Sequence, residues 1–149
     1  MRRIKGDLSN FGILLTPAPR VQVLCYIPRL NLSAEVDFMI DTGASGTCLN
    51  GGYALGLQRY MRKETLRTST GIGGQCGYYT ETALLVFTDT TGQPLDFELE
   101  LSIQRIRRFL WIRPSHLTLL TPCLLGRDVL SEWELRYNHQ KEDITLIAP

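Results

Sequence analysis

A chain of 149 residues that is 44% hydrophobic and 21% charged has the make-up of a folded globular domain with an ordinary apolar core. Its net charge of +1 gives the chain as a whole no electrostatic case for nucleic acid or membrane surfaces. No apolar run approaches the roughly 18 residues of a membrane span. The opening Met1-Arg2-Arg3-Ile4-Lys5-Gly6-Asp7 is basic but leads into no apolar signal core or small-residue cleavage site. A cytoplasmic, reducing setting is therefore expected. Cys25, Cys48, Cys76 and Cys123 contain no CxxC pair, and free buried thiols are expected over the two disulfides that four cysteines allow. Neither His116 nor His139 stands at zinc-finger spacing from a cysteine, and no metal or cofactor is expected.

In chain order, residues 11–15 and 21–27 are apolar runs around Thr16-Pro17-Ala18-Pro19-Arg20, which predicts two strands and a turn. Residues 31–40 predict a strand in which Val36, Phe38 and Ile40 alternate with Asp37 and Asp41. That strand runs straight into Asp41-Thr42-Gly43-Ala44. A carboxylate at the end of an apolar strand is costly to bury without donors, and Thr42 and Gly43 supply a hydroxyl, backbone N–H groups and a tight bend beside it. Thr47-Cys48-Leu49 resumes an extended pattern, and residues 51–57 predict a short helix with a loose, glycine-rich start.

Residues 59–70 are polar and basic and lead to Gly71-Ile72-Gly73-Gly74. A strand over 77–87 follows, so a glycine-tipped hairpin spans about residues 66–86. After a turn at 88–94, Leu95, Phe97, Leu99, Leu101 and Ile103 alternate with Asp96, Glu98, Glu100 and Ser102, which predicts a strand with one wet face. Residues 105–113 interleave Arg105, Arg107, Arg108 and Arg113 with aromatics. A solvated connection is the expected reading of this stretch, with a nucleic-acid surface as its rival. The segment 124–130, Leu-Leu-Gly-Arg-Asp-Val-Leu, predicts a strand end opening into a helix near Arg127. Trp133, Leu135, Tyr137 and residues 144–147 read as closing strands. The expectation is one mainly β domain over residues 1–149, a small closed barrel with one or two short helices.

Three stretches in this order, the Asp41-Thr42-Gly43-Ala44 loop, the Gly71–Gly74 cluster and the Leu124-Leu125-Gly126-Arg127-Asp128 segment, resemble the signature of the retropepsin-like aspartic proteases, the family of the retroviral proteases. The resemblance implies the acid-protease fold and amide hydrolysis by two carboxylates and one water. Only one Asp-Thr-Gly is present, so it also implies a homodimer with Asp41 of each subunit meeting on the two-fold axis. Carried over residue by residue, Thr42 would reach across that axis. Gly43 would accept from the substrate backbone, and Gly71, Ile72, Gly73 and Gly74 would form a flap over an extended peptide. Gly126, Arg127 and Asp128 would buttress the active-site loop, and Leu146-Ile147 would supply interface strands. The chain departs from the retroviral pattern at Ser45 and Gly46, where those enzymes carry acidic residues, one of which pairs with the Gly-Arg arginine and binds the peptide backbone. In that respect it is more similar to cellular members. The rival of a different class is a catalytically silent dimerisation or peptide-binding module on the same fold.

Overall fold

Alternation of apolar and polar residues decides most of the architecture. The computed structural model describes residues 1–11, 16–71, 74–106 and 121–149. Its strands are β1 (Arg2–Ser9), β2 (Ala18–Ile27), β3 (Leu32–Ile40), β4 (Cys48–Leu49), β5 (Arg67–Gly71), β6 (Gly74–Thr88), β7 (Pro94–Gln104), β8 (Cys123–Leu125), β9 (Glu134–Asn138) and β10 (Asp143–Ala148). One short α-helix, α1 (Arg127–Leu130), follows β8, and 3-10 segments lie at Pro28–Leu30, Gly51–Tyr60 and Lys63–Thr65.

The strands form one sheet in the order β5-β6-β7-β4-β8-β3-β2-β1-β10-β9. A further β6–β2 pairing joins non-neighbours in that order, so β6, β7, β4, β8, β3 and β2 make a ring of hydrogen-bonded strands. Where the sequence leads one to expect a closed barrel, the pairings give this ring, with β5 on one side and β1, β10 and β9 trailing on the other. Inward positions fill the middle: Val36, Phe38 and Ile40 from β3, Val21, Val23, Cys25 and Ile27 from β2, Leu85 and Phe87 from β6, Leu101 and Ile103 from β7, and Leu125 from β8. Trp133 meets Phe87 and Phe97 edge-on, at centroid distances of 4.7 and 5.8 Å.

Two parallel pairings matter most for function. β3 lies beside β8, with Phe38 opposite Cys123, Met39 opposite Leu124 and Ile40 opposite Leu125. Both strands end at the same level, so the residues that leave β3 and those that leave β8 emerge side by side. β4 pairs β7 in parallel and β8 antiparallel, which returns the chain to the same spot.

Some expectations change and others fall outside the described residues. Among the described residues, the strand that precedes β2 is β1, which the sequence reading does not predict. Residues 12–15 lie outside the described residues, and Phe11 is in no strand. β1 escapes a hydrophobicity reading because Ile4 alone is fully buried along it, while Arg3 and Lys5 face out. It pairs β10 through Gly6 and then β2 from Asp7. A Cβ on Gly6 would lie 2.4 Å from the Arg20 carbonyl oxygen, so the change of partner needs glycine. The helix expected at 51–57 is a 3-10 segment, Gly51–Tyr60, broken by non-helical geometry at Ala54. β10 is paired on both sides, by β1 and β9, and Leu146 and Ile147 are buried within the chain, so the interface role expected of them has no free strand edge. Of the basic stretch, residues 107–113 lie outside the described residues. Among the described residues, no helix is long and apolar enough to cross a membrane.

Glu81 breaks the alternation. It occupies an inward position of β6 between Tyr79 and Ala83 and is 1% exposed. Arg29, from the 3-10 segment after β2, places Nε 3.0 and 2.9 Å from the two Glu81 carboxylate oxygens, and its Nη2 donates to Glu81 and to the Tyr60 carbonyl at 2.8 Å. One guanidinium thus ties three segments and neutralises a carboxylate that would otherwise be stranded in the core. Arg29→Met should lower unfolding free energy by about 3 kcal/mol in urea titrations. A change within about 0.5 kcal/mol, the usual range for surface substitutions, would show that the pair contributes no net stability.

Candidate active site

Because β3 and β8 end together, Asp41 and Gly126 leave the sheet as neighbours. The Asp41 N–H donates to the Leu125 carbonyl at 3.1 Å, extending the ladder one residue past β3. The chain then folds back: Ala44 N–H reaches the Asp41 carbonyl at 3.2 Å, and Gly43 N–H donates to Asp41 Oδ1 at 2.9 Å. A Cβ on Gly43 would sit 3.1 Å from that carboxylate oxygen, closer than ordinary van der Waals contact. Asp41 is half-buried, Thr42 and Gly43 are exposed, and the Thr42 hydroxyl makes no hydrogen bond to the described residues.

The loop is pinned from below by Thr47 and Asp128. Thr47 is fully buried. Its N–H donates to Asp128 Oδ2 at 2.9 Å, and its hydroxyl donates to Oδ1 at 2.6 Å. The same hydroxyl accepts from Gly126 N–H at 3.0 Å, and Asp128 Oδ1 also accepts from Val129 N–H at 3.0 Å. Arg127 N–H closes the arrangement on the Ala44 carbonyl at 2.9 Å. The backbones touch: a Cβ on Gly126 would fall 2.4 Å from the Gly46 carbonyl carbon. Asp128 therefore serves as a structural acceptor: its two donors from Thr47 hold the two chain segments in register, and the third comes from its own helix.

Asp41, Thr42, Gly43, Ala44, Gly126, Arg127 and Asp128 thus come together. The Arg127 side chain does not take part: it is exposed and makes no ion pair with the described residues, in keeping with Ser45 and Gly46 standing where an acid is expected. Sequence reading missed Thr47, whose signal was a hydroxyl residue opening an otherwise apolar strand, and Gly46, whose signal was a second glycine just after the loop. In the glycine hairpin, Gly71 pairs Gly74 and Arg67 pairs Tyr78. Ile72 and Gly73 lie outside the described residues. β5 stands at the end of the strand order and pairs β6 alone.

All four cysteines are free. Burial pushes the thiols of Cys25 and Cys48 up to about 12 and that of Cys123 up to about 11. These three stay protonated at neutral pH and offer no thiolate nucleophile. Among the described residues, no group of three His, Cys, Asp or Glu side chains is placed to hold a metal ion.

No protein-family model matches this chain. No curated protein matches it either. Among solved structures, the chain is similar to EIAV protease complexed with the inhibitor HBY-793, at 19% identity and a TM-score of 0.45, over 78% of this chain and 88% of that one.

Two outcomes follow from the geometry. Thr47→Val keeps the side-chain shape but removes a hydroxyl that bridges a carboxylate and a buried N–H. It should cost about 2–3 kcal/mol in urea unfolding, and Thr47→Ser should recover most of the loss. A free thiol titrates near 8.5 and the three buried ones titrate higher when folded. The unfolded chain therefore releases these protons first, and stability should fall as pH rises from about 9 towards 12. Replacing Cys25, Cys48 and Cys123 by Ala should flatten that alkaline slope in denaturant titrations.

Proposed function

We propose that this chain is an aspartic endopeptidase that works as a homodimer. The observation that carries the reading is the contrast between two neighbouring carboxylates. Asp128 has both oxygens committed to backbone and hydroxyl donors. Among the described residues, Asp41 takes a single donor, from Gly43, at the rim of a pinned loop. A carboxylate held in place but left with an uncommitted oxygen is equipped to handle water and protons.

One chain supplies one such loop, and the chemistry needs two carboxylates. In the proposed dimer the Asp41 side chains of the two subunits approach to about 3 Å, where like charges do not both ionise and the pair shares one proton. The ionised member draws a proton from water. The protonated member donates to the scissile carbonyl oxygen as the tetrahedral intermediate forms, and a proton then passes to the leaving amine. The exposed Thr42 hydroxyl, with no hydrogen bond to the described residues, would be available to the partner's loop. The β5–β6 hairpin, with Gly71, Ile72, Gly73 and Gly74 at its tip, would close over an extended peptide that pairs as an added strand.

Asp41→Asn should lower peptide cleavage by at least about 1,000-fold while dimer mass and melting behaviour hold. Cleavage of a peptide library, read by mass spectrometry alongside light scattering, checks this. An Asp41→Asn dimer that still cuts at the wild-type sites would exclude the mechanism. A wild-type dimer that binds peptides and cuts none would point instead to a peptide-binding module.

A further inference from the structure

Away from Asp41, β3 carries Asp37 on the side of the strand shared by positions 39 and 41, about 13 Å back along the chain. Asp37 lies in a cleft of about 460 Å³ whose wall includes Asn10, Arg20, Asn50, Tyr53 and Cys123. Most of its fixed polar groups answer one another. Arg20 grips both oxygens of Asp7, at 2.7 and 2.6 Å, and places Nη1 3.1 Å from Asp37 Oδ2. Asn50 accepts from Gly52 N–H at 2.7 Å, donates to the Thr121 carbonyl at 2.5 Å, and its own N–H meets Cys123 Sγ at 3.2 Å. Asp37 Oδ1 is the exception: it is shut from solvent and has no donor among the described residues.

A buried carboxylate oxygen without a donor is costly, and such groups in folded proteins call for a partner. The Asp37 side chain as a whole is 42% exposed, so it is reachable from the cleft. The soft, two-fold terminal torsion of aspartate lets a small rotation present this oxygen while the other stays on Arg20. Three charges meet here, Asp7, Asp37 and Arg20, leaving a net negative charge. Arg20 is already gripped by Asp7, so a cation is the complement. Tyr53, 40% exposed at the cleft, offers an apolar face along which an aliphatic stem can lie and a ring to which a cation is attracted.

We propose that this cleft is an outer subsite that takes a cationic side chain, lysine or arginine, from the extended peptide, with Asp37 as its acceptor and Tyr53 as its wall. The proposal rests on the endopeptidase reading. A distance of about 13 Å equals about four extended residues, which sets the window in which the basic residue is sought, and a two-fold dimer supplies one such cleft towards each end of the peptide.

Two measurements on the full chain test it. In library cleavage, lysine and arginine should be enriched roughly tenfold over norleucine three to five positions from the cut. Asp37→Asn should erase that preference, Asp37→Glu should keep much of it, and all three proteins should cut peptides lacking basic residues at similar rates. Cleavage without basic enrichment, or enrichment that survives in Asp37→Asn, overturns the subsite and leaves the protease reading standing. If the wild type cuts nothing, the protease reading fails instead, and amide-shift titration with N-acetyl-argininamide decides the cleft. Saturable shifts at Asp37, Asn50 and Tyr53, absent with N-acetyl-norleucinamide and lost in Asp37→Asn, support a cation site. Their absence overturns it.

Discussion

The Asp128 carboxylate is the constraint on which the candidate site depends. The short strands β4 and β8 and the four-residue α1 have little ladder of their own to fix their ends. The two donors that Thr47 sends to Asp128 do that work, and the Val129 N–H completes the carboxylate at the helix start. Charge-assisted hydrogen bonds in a partly buried place are stronger than their neutral counterparts, and they satisfy backbone N–H groups that a loop at this depth would otherwise leave unpaired. The contact between Gly46 and Gly126 is the steric side of the same arrangement, since a side chain at Gly126 would force the two segments apart.

Carboxylates divide here by how completely they are satisfied. Glu81 is enclosed by one guanidinium, and Asp128 by backbone and hydroxyl donors. Asp89 likewise serves only its turn, accepting from Thr91 and Gln93. Asp41 takes a single donor among the described residues, and Asp37 has one buried oxygen with none there.

Legibility in the sequence followed burial. β3, β7 and the Leu124-Leu125-Gly126 approach to α1 were readable because their apolar residues alternate cleanly or end at a helix-opening glycine. β1 was not, since its hold comes from β10 and β2 rather than from its own hydrophobicity. Glu81 was equally hidden: the sequence shows a polar residue in a strand, and only the fold brings Arg29 across to it. Within the site, the Asp41 loop and Asp128 announced themselves by residue type and order. Thr47 did not, because what matters about it is a contact with a residue far along the chain.

The pairing of Arg2 with Ala148 sets the order in which the molecule can be completed. It closes almost the whole sequence into one loop, and contacts of such long separation weigh on folding rate far more than on stability. As the chain is synthesised, Ile4 and its neighbours emerge long before β10 exists to receive them, so the edge of β1 stands open through most of synthesis. An open strand edge invites pairing with another nascent copy. Arg2, Arg3 and Lys5, the basic opening that first marks this sequence, lie along that edge, and like charges on two such strands repel. The residues that make β1 hard to recognise as a strand are the ones that keep it from joining the wrong partner before the right one arrives.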